Sequence, residues 1–543
     1  MHANITVAQN RFGSSGPAPI ELTNIDPGAA YTTPQTYKNT LAMYDINGNV
    51  TPDEHWKLFG DVHFRAFDQA RVDGNTTNFN SCGGATLCDE SGNPTNGLPD
   101  LFAGAASLGV VDYTWTRSRT IGGTVQATND NTYFGFHNKI TFGVSYDHGW
   151  TAFSANEVLG VIQPNLVVGM TGPIVEEPAS GIQSVSVRAS NDYLGVYALD
   201  TLDITDKLTA TAGARFNRAG IALYDLNGTQ INGSNVYTRI NPVAGLTYKI
   251  LPSLSAYASY SEANRTPTPL ELACADPNRP CIIDNFLVSD PPLKQVVSHT
   301  VETGLRGNVG LPALVPAVAT YLPGELTYSA GLYRTYNFND ILSVPSQVGV
   351  RGYFTHAGDT LRQGVEVSLR YADERFSAFA NYTLTDATFR STFLLGSPNN
   401  PWAQYVGLVL PDSPGNSNIM VTPGTNLTAV PRHRFKAGAD YAVTREWKVG
   451  ADVVYSSGSW LRGDEINAFG TLPSYALVNL RTSYQVTPNV QFYGLLQNAA
   501  NVRSRSFGTF FDTQAIGFLP FANPKMVSLG PPIGIFGGVK ITY

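Results

Sequence analysis

The sequence predicts an all-β protein built as one large antiparallel transmembrane β-barrel, with short turns at one end and long loops at the other. Three observations carry this. Strictly alternating apolar and polar residues recur along the chain, the period of a strand with two unlike faces. The connections between these segments alternate between a few residues and several tens of residues. The apolar faces are bracketed by aromatic residues while the opposite faces carry charge, the pattern of a wall between lipid and a wet interior.

Taken in order, the alternation gives about 18 strands. The first seven are expected near Asn4–Asn10, Gln35–Ile46, His55–Ala70, Thr114–Ala127, Tyr133–Tyr146, Gln183–Leu202 and Lys207–Ala219. The next are Val236–Lys249, Leu254–Glu262, Val297–Gly307, Glu325–Asn339 and Gly349–Tyr371. The last are Phe376–Ala387, Arg432–Val443, Trp447–Ser457, Ser474–Val486, Val490–Asn498 and Ile533–Tyr543. In Leu254–Ser261 the residues Leu254, Ala256, Ala258 and Tyr260 share one face, and Ser255, Tyr257, Ser259 and Ser261 the other. Two prolines, Pro267 and Pro269, then forbid a continuing ladder. In Trp447–Tyr455 the apolar face runs Trp447, Val449, Ala451, Val453, Tyr455. At ~3.3 Å per residue and ~40° tilt, its two aromatics lie roughly 20 Å apart across a membrane. Phe435/Tyr441 and Phe376/Tyr382 bracket alanines in the same way.

The opposite faces are charged: Glu302 and Arg306, Glu366 and Arg370, Lys436 and Asp440, and Lys448 and Asp452 each share the polar face of one strand. Unpaired buried charge is costly, so these faces meet water in a lumen. The terminal strand turns Ile535, Gly537, Val539, Ile541 and Tyr543 outward, Tyr543 falling at the periplasmic rim. It needs a neighbour, and Asn4–Asn10 offers a short one. A gap or strained seam between the two, around an open lumen, is therefore expected.

Only 14% of residues are charged, against 27 Tyr and 52 Gly, which suits barrel walls. The net charge of -7 and the lack of a basic stripe exclude nucleic acid as a partner. No apolar run is long enough for a membrane helix; Leu311–Leu322 is short and holds Pro312 and Pro316. Met1-His2-Ala3-Asn4 opens no signal peptide. An exported barrel needs one, so the chain is expected to lack its natural beginning.

The four cysteines fall in two close pairs, Cys82/Cys88 and Cys274/Cys281, in loops rich in Gly, Asn, Asp and Pro. Zinc competes as a reading, but neither pair has CxxC spacing or a nearby His. Local disulfides in an oxidising compartment are expected instead. No HExxH, GxSxG, P-loop or dinucleotide fingerprint is present. No catalytic residue, metal or cofactor is assigned, and an enzyme is not expected.

Tyr257-Ala258-Ser259-Tyr260-Ser261-Glu262, Arg265-Thr266-Pro267, Glu271-Leu272, Cys274 and Asp290-Pro291-Pro292-Leu293 together resemble the barrel of TonB-dependent outer-membrane receptors. The likeness continues through Glu302-Thr303-Gly304-Leu305-Arg306-Gly307 and Gly364-Val365-Glu366. The resemblance implies residence in the cell outer membrane, with lipid around the wall, and TonB-energised uptake of a scarce ligand such as an iron–siderophore complex. It also implies a plug before a barrel of roughly 22 strands. Residues 1–543 are then read as an N-terminally truncated barrel domain without plug or TonB box, and the TonB complex as a partner only if a plug is supplied. In such receptors the outer loops and upper lumen hold the ligand. That makes Tyr257, Glu262, Asn264 and Arg265 candidates at one strand's top, and Arg432, Arg434 and Lys436 at another's. The cations would suit an anionic chelate. The alternatives are a passive porin without a plug and, with less support, an outer-membrane enzyme or adhesin.

Overall fold

A computed structural model describes residues 1–13, 16–77, 79–88, 92–102, 104–172, 174, 184–228, 232–273, 293–314, 323–345, 352–403 and 418–542. Its wall consists of β1 (His2–Gly13), β2 (Gln35–Val50), β3 (Trp56–Thr76), β4 (Leu108–Tyr133), β5 (Phe136–Ile162) and β6 (Val185–Asp203). Then come β7 (Leu208–Asp225), β8 (Gly233–Leu251), β9 (Leu254–Arg265), β10 (Val296–Gly310), β11 (Glu325–Phe338) and β12 (Thr360–Ala372). The last are β13 (Phe376–Phe389), β14 (His433–Ala442), β15 (Trp447–Ser456), β16 (Tyr475–Thr487), β17 (Val490–Gln497) and β18 (Gly534–Ile541). Each wall strand pairs antiparallel with its neighbour in the chain, from β1 with β2 through to β17 with β18.

The short turns share one end: 51–55, 134–135, 204–207, 252–253, 373–375, 443–446 and 488–489. The connection 311–324 is the long member of this set and begins with the helical turn Leu311–Leu314. All other connections lie at the opposite end, which in this architecture faces outside the cell. One expectation needs correction. Gly349–Tyr371 is not a single strand: Gly352–His356 pairs with Ile341–Pro345 as a loop hairpin, and the wall resumes only at Thr360. Gly358, at φ +68°, makes the break, a backbone conformation that glycine adopts without penalty.

The registers carry one set of faces round the wall. Trp56, Leu58, Val62, Phe64 and Ala66 of β3 face outward, and Val62 is 61% exposed. Trp56 to Asp68 spans about 30 Å at ~3.3 Å per residue and ~40° tilt. This is the apolar band with its margins.

β1 and β18 are edges. Among the described residues β1 pairs only with β2, β18 only with β17, and no ladder joins the two. Every residue of β1 is exposed. The edges are tied at the long-loop end instead. Ala18–Pro19, after β1, pairs with Lys525–Leu529, before β18, which pairs with Arg505–Phe510. Ala18, Leu22 and Tyr31 bury against Ile516, Phe521 and Met526. Glu21 Oε1 accepts from the backbone N–H groups of Ala522 (3.2 Å) and Asn523 (3.1 Å). Tyr543 and its expected outward placement lie outside the described residues.

Val62→Arg, half-way between Trp56 and Asp68, should destabilise the inserted barrel by about 2–4 kcal/mol. Thr124→Arg, on the lumen face of β4, should change it by less than about 1 kcal/mol. Equal costs in a bilayer unfolding titration would invert this assignment of faces.

Candidate functional site

The lumen wall is charged, and one cluster of its charges is matched between strands. Arg481 of β16 clasps Asp440 of β14 through Nε (2.7 Å) and a second nitrogen (2.7 Å), and reaches Asp452 of β15 with the third (2.8 Å). Asn479 donates to the other Asp452 oxygen at 2.8 Å. Lys436 and Lys448, on the same strands as these aspartates, are not their partners: residues four apart in a strand are roughly 13 Å apart. Gly450 leaves room for the bridge. A Cβ there would collide with Asp440 Oδ1 and come within 2.9 Å of the Ala439 carbonyl oxygen and Arg481 Nε.

The two groups of candidate residues have different settings. Tyr257 is not at a strand top. It stands just above the 252–253 turn, where its ring lies under Arg306, 5.5 Å from the guanidinium carbon. The chain direction and the length of that turn put it in the lower wall. Glu262 is engaged. The β8–β9 ladder stops at Val243↔Ser261, and above the stop Arg239 reaches across to pair with Glu262. Tyr260 also donates to Glu262 (2.7 Å). Asn264 accepts from Asn217 (3.0 Å) and Asn241 (2.7 Å) and donates to Gln295 (2.9 Å). Arg265 binds Glu271 at 2.7 Å, and Glu271 closes a capping box with Thr268 over the helical turn Pro269–Leu272. These three residues hold the upper wall and its loop together.

Arg434 and Lys436 sit on the lumen face of β14, and both are exposed. Lys436 Nζ lies 5.9 Å from the centre of the Phe379 ring. Arg432 precedes the strand with its side chain exposed, while its carbonyl accepts from the Thr385 N–H at 2.8 Å. Arg434 and Lys436 line a recess of about 380 Å³ with Asn381, Thr383, Tyr475 and Arg505. Arg505 was missed from sequence: it belongs to no alternating wall segment and arrives by the fold-back of Arg505–Phe510 on Lys525–Leu529. It also donates to Asn24 at 3.1 Å.

The segment Arg462–Phe469 knots the loops around this end. Gly463 O accepts from Ser397 and Asn400, both at 2.7 Å. Asp464 caps Ala468 and Phe469 N–H, both at 2.9 Å. Glu465 Oε1 accepts from Gly463 N–H and Thr428, both at 3.1 Å, while Oε2 is buried without a partner. Burial raises the Glu465 and Asp464 carboxyls above the ordinary carboxylate range, only partly opposed by the backbone N–H groups they accept from.

Cys82 and Cys88 form a disulfide, Cα–Cα 5.9 Å, in the loop after β3. Cys274 and Cys281 lie outside the described residues. Among the described residues no group of three or more His, Cys, Asp or Glu could hold a metal ion, and no helix is long and apolar enough to cross a membrane.

Arg481→Gln should cost about 1.5–3 kcal/mol by orphaning charge-assisted bonds. Gly450→Ala should break the same bridge, so the double variant should cost little more than the worse single variant. Additive losses in denaturant titrations would show that the glycine serves something else. A second outcome concerns pH. Glu465 and Asp464 have folded values above their unfolded ones, so the folded state holds more protons. Stability should fall as pH rises from the ordinary carboxylate range through the folded values. Glu465→Gln should flatten that slope and raise the melting temperature at pH 7; an unchanged profile in thermal melts at pH 4 to 8 would refute it.

Comparison with known proteins adds the following. A family profile described as TonB dependent receptor-like, beta-barrel, matches residues 4–499. The chain is 23% identical over 366 residues to the probable TonB-dependent siderophore receptor PiuA of Acinetobacter baumannii, covering 66% of this chain and 43% of that protein. It thus spans less than half the length of that curated relative. The crystal structure of the siderophore receptor PiuA from Acinetobacter baumannii superposes with a TM-score of 0.67 at 14% identity, over 100% of this chain and 71% of that one. The ferric-catecholate import receptor Fiu from E. coli gives 0.65 at 13% identity, over 99% and 71%.

Proposed function

The chain belongs to the TonB-dependent receptor-like β-barrel family, and on that premise we propose that it forms the outer-membrane wall of a receptor for an anionic iron chelate of the siderophore class. The observation that carries the ligand class is the recess in which Arg434, Lys436 and Arg505 converge on the lumen face at the long-loop end. Neither Arg434 nor Lys436 is tied into an ion pair among the described residues, whereas Asp440, Asp452 and Arg481 lower in the same part of the wall are. Cations held apart from acids in a recess favour chelates with free carboxylate or catecholate oxygens. Asn381, Thr383 and Tyr475 add neutral hydrogen-bonding groups around the charge.

Energised release through TonB belongs to the same proposal and needs a plug seated in the lumen. The passive porin is the second reading. It predicts steady conductance and no saturable ligand.

Arg434→Glu combined with Lys436→Glu should weaken binding of a ferric catecholate or ferric citrate by at least about tenfold, the loss of one or two charge-assisted bonds. Intrinsic tryptophan fluorescence of the detergent-solubilised barrel would read it. Unchanged affinity would remove the recess from the reading, and saturating conductance without any ligand response would favour the porin.

A further inference from the structure

The outer face of a barrel in lipid should be apolar, and in β1–β6 up to Ala66 it largely is, His148 and Asp192, paired with each other at 2.8 Å, being the charged exception one row below. Above Ala66 the register builds three rows across the lipid-facing side. The lowest runs Val7, Ala42, Ala66, Arg119, Trp150, Ser190. The next runs Gln9, Thr40, Asp68, Arg117, Ala152, Arg188. The highest runs Arg11, Lys38, Ala70, Trp115, Ser154, Ser186. Neighbouring strands are roughly 4.8 Å apart, so five cations and one acid share a patch a few strands wide.

The patch is hollow. Ala70, Ala152, Ser154 and Ser186 are small and form a floor, while Lys38, Trp115 and Arg117 stand round a recess of about 530 Å³. Its cations are under-neutralised. Asp68 is shared by Arg117 Nε (3.2 Å) and Arg119 (2.9 Å). The Arg117 side chain is 74% exposed. Lys38, Arg11 and Arg188 make no ion pair among the described residues. The Trp115 indole is exposed beside them.

Charge on a lipid-facing wall is tolerated only near the interface, and the long-loop end sets this interface in the outer leaflet. Arg117 offers a guanidinium fork that can bind two oxygens of one anion and Lys38 adds a point charge, a set suited to phosphate. Clustered Lys and Arg at head-group depth recognise anionic lipid head groups, and an exposed indole offers a flat face for a sugar ring. We propose that this recess binds the phosphorylated saccharide head group of an outer-leaflet lipopolysaccharide. The site is separate from the lumen recess, being on the opposite face of the wall. It rests on the membrane placement argued above.

The full chain, purified in mild detergent, would be titrated with lipopolysaccharide lacking O-polysaccharide and the complexes counted by native mass spectrometry. The phosphorylated lipid should stay bound. Lys38→Gln with Arg117→Gln should weaken it by about tenfold or more, while Arg117→Lys should retain most of the binding and Lys448→Gln on the lumen face all of it. Heat-modifiable mobility in SDS would certify that each variant folds. Equal binding by the double variant, by enzymatically dephosphorylated lipid or by phosphatidylglycerol would overturn the proposal, as would inorganic phosphate binding as tightly as the lipid. A chain that forms no heat-modifiable barrel would overturn the membrane placement first, and this site with it.

Discussion

Everything in this protein follows from one constraint: inside a bilayer each backbone N–H and C=O must find a partner within the protein. The wall answers it with long uninterrupted ladders, such as β4 with β5 from Leu108↔Val161 to Tyr133↔Phe136. The same constraint makes β1 and β18 conspicuous, since each spends one edge without a ladder to the other. What holds those edges near one another is a small sheet and an apolar cluster above the membrane, where Glu21 and the loop 511–526 meet. The most demanding part of the wall thus depends on packing outside the lipid.

Once the ladders are set, parity does the rest. Alternate residues see lipid and lumen, so a single register shift would exchange them. On the lumen side charge is tolerable because strands supply one another's counter-ions: Arg481 serves two aspartates on two other strands, and Gly450 withholds a side chain where it would intrude. On the lipid side there is less freedom: in β1–β6 most outward charge gathers toward the long-loop rim, and His148 and Asp192, one row below, neutralise each other.

The wall was readable from sequence because alternation is local and survives without knowledge of neighbours. The strand around Trp447–Tyr455 and its faces are cases in point. What could not be read was anything requiring partners far away. The hairpin Ile341–Pro345 with Gly352–His356 alternates like a wall strand yet stands outside it. The sequence places Asp440 and Lys436 on one polar face but not the partner of Asp440, which is forty-one residues on, in β16. Arg505 had no periodic signal at all. Tyr257 was misplaced in height for a different reason. Parity tells which face a residue takes, while height depends on which end carries the short turn, and the 252–253 turn puts it low.

Height and face together separate two cationic surfaces that composition alone would merge. Arg434 and Lys436 share a parity that turns inward; Lys38 and Arg117 share one that turns outward. Both pairs lie toward the long-loop end. Inward cations can exchange water for a dissolved anion at little structural cost, because the lumen is wet. Outward cations meet hydrocarbon just below and head groups beside them, so their counter-charge must be amphiphilic and held at a fixed depth. The wall is one ladder thick, and its pleat is enough to turn chemically similar side chains to the wet lumen on one side and to the outer face on the other.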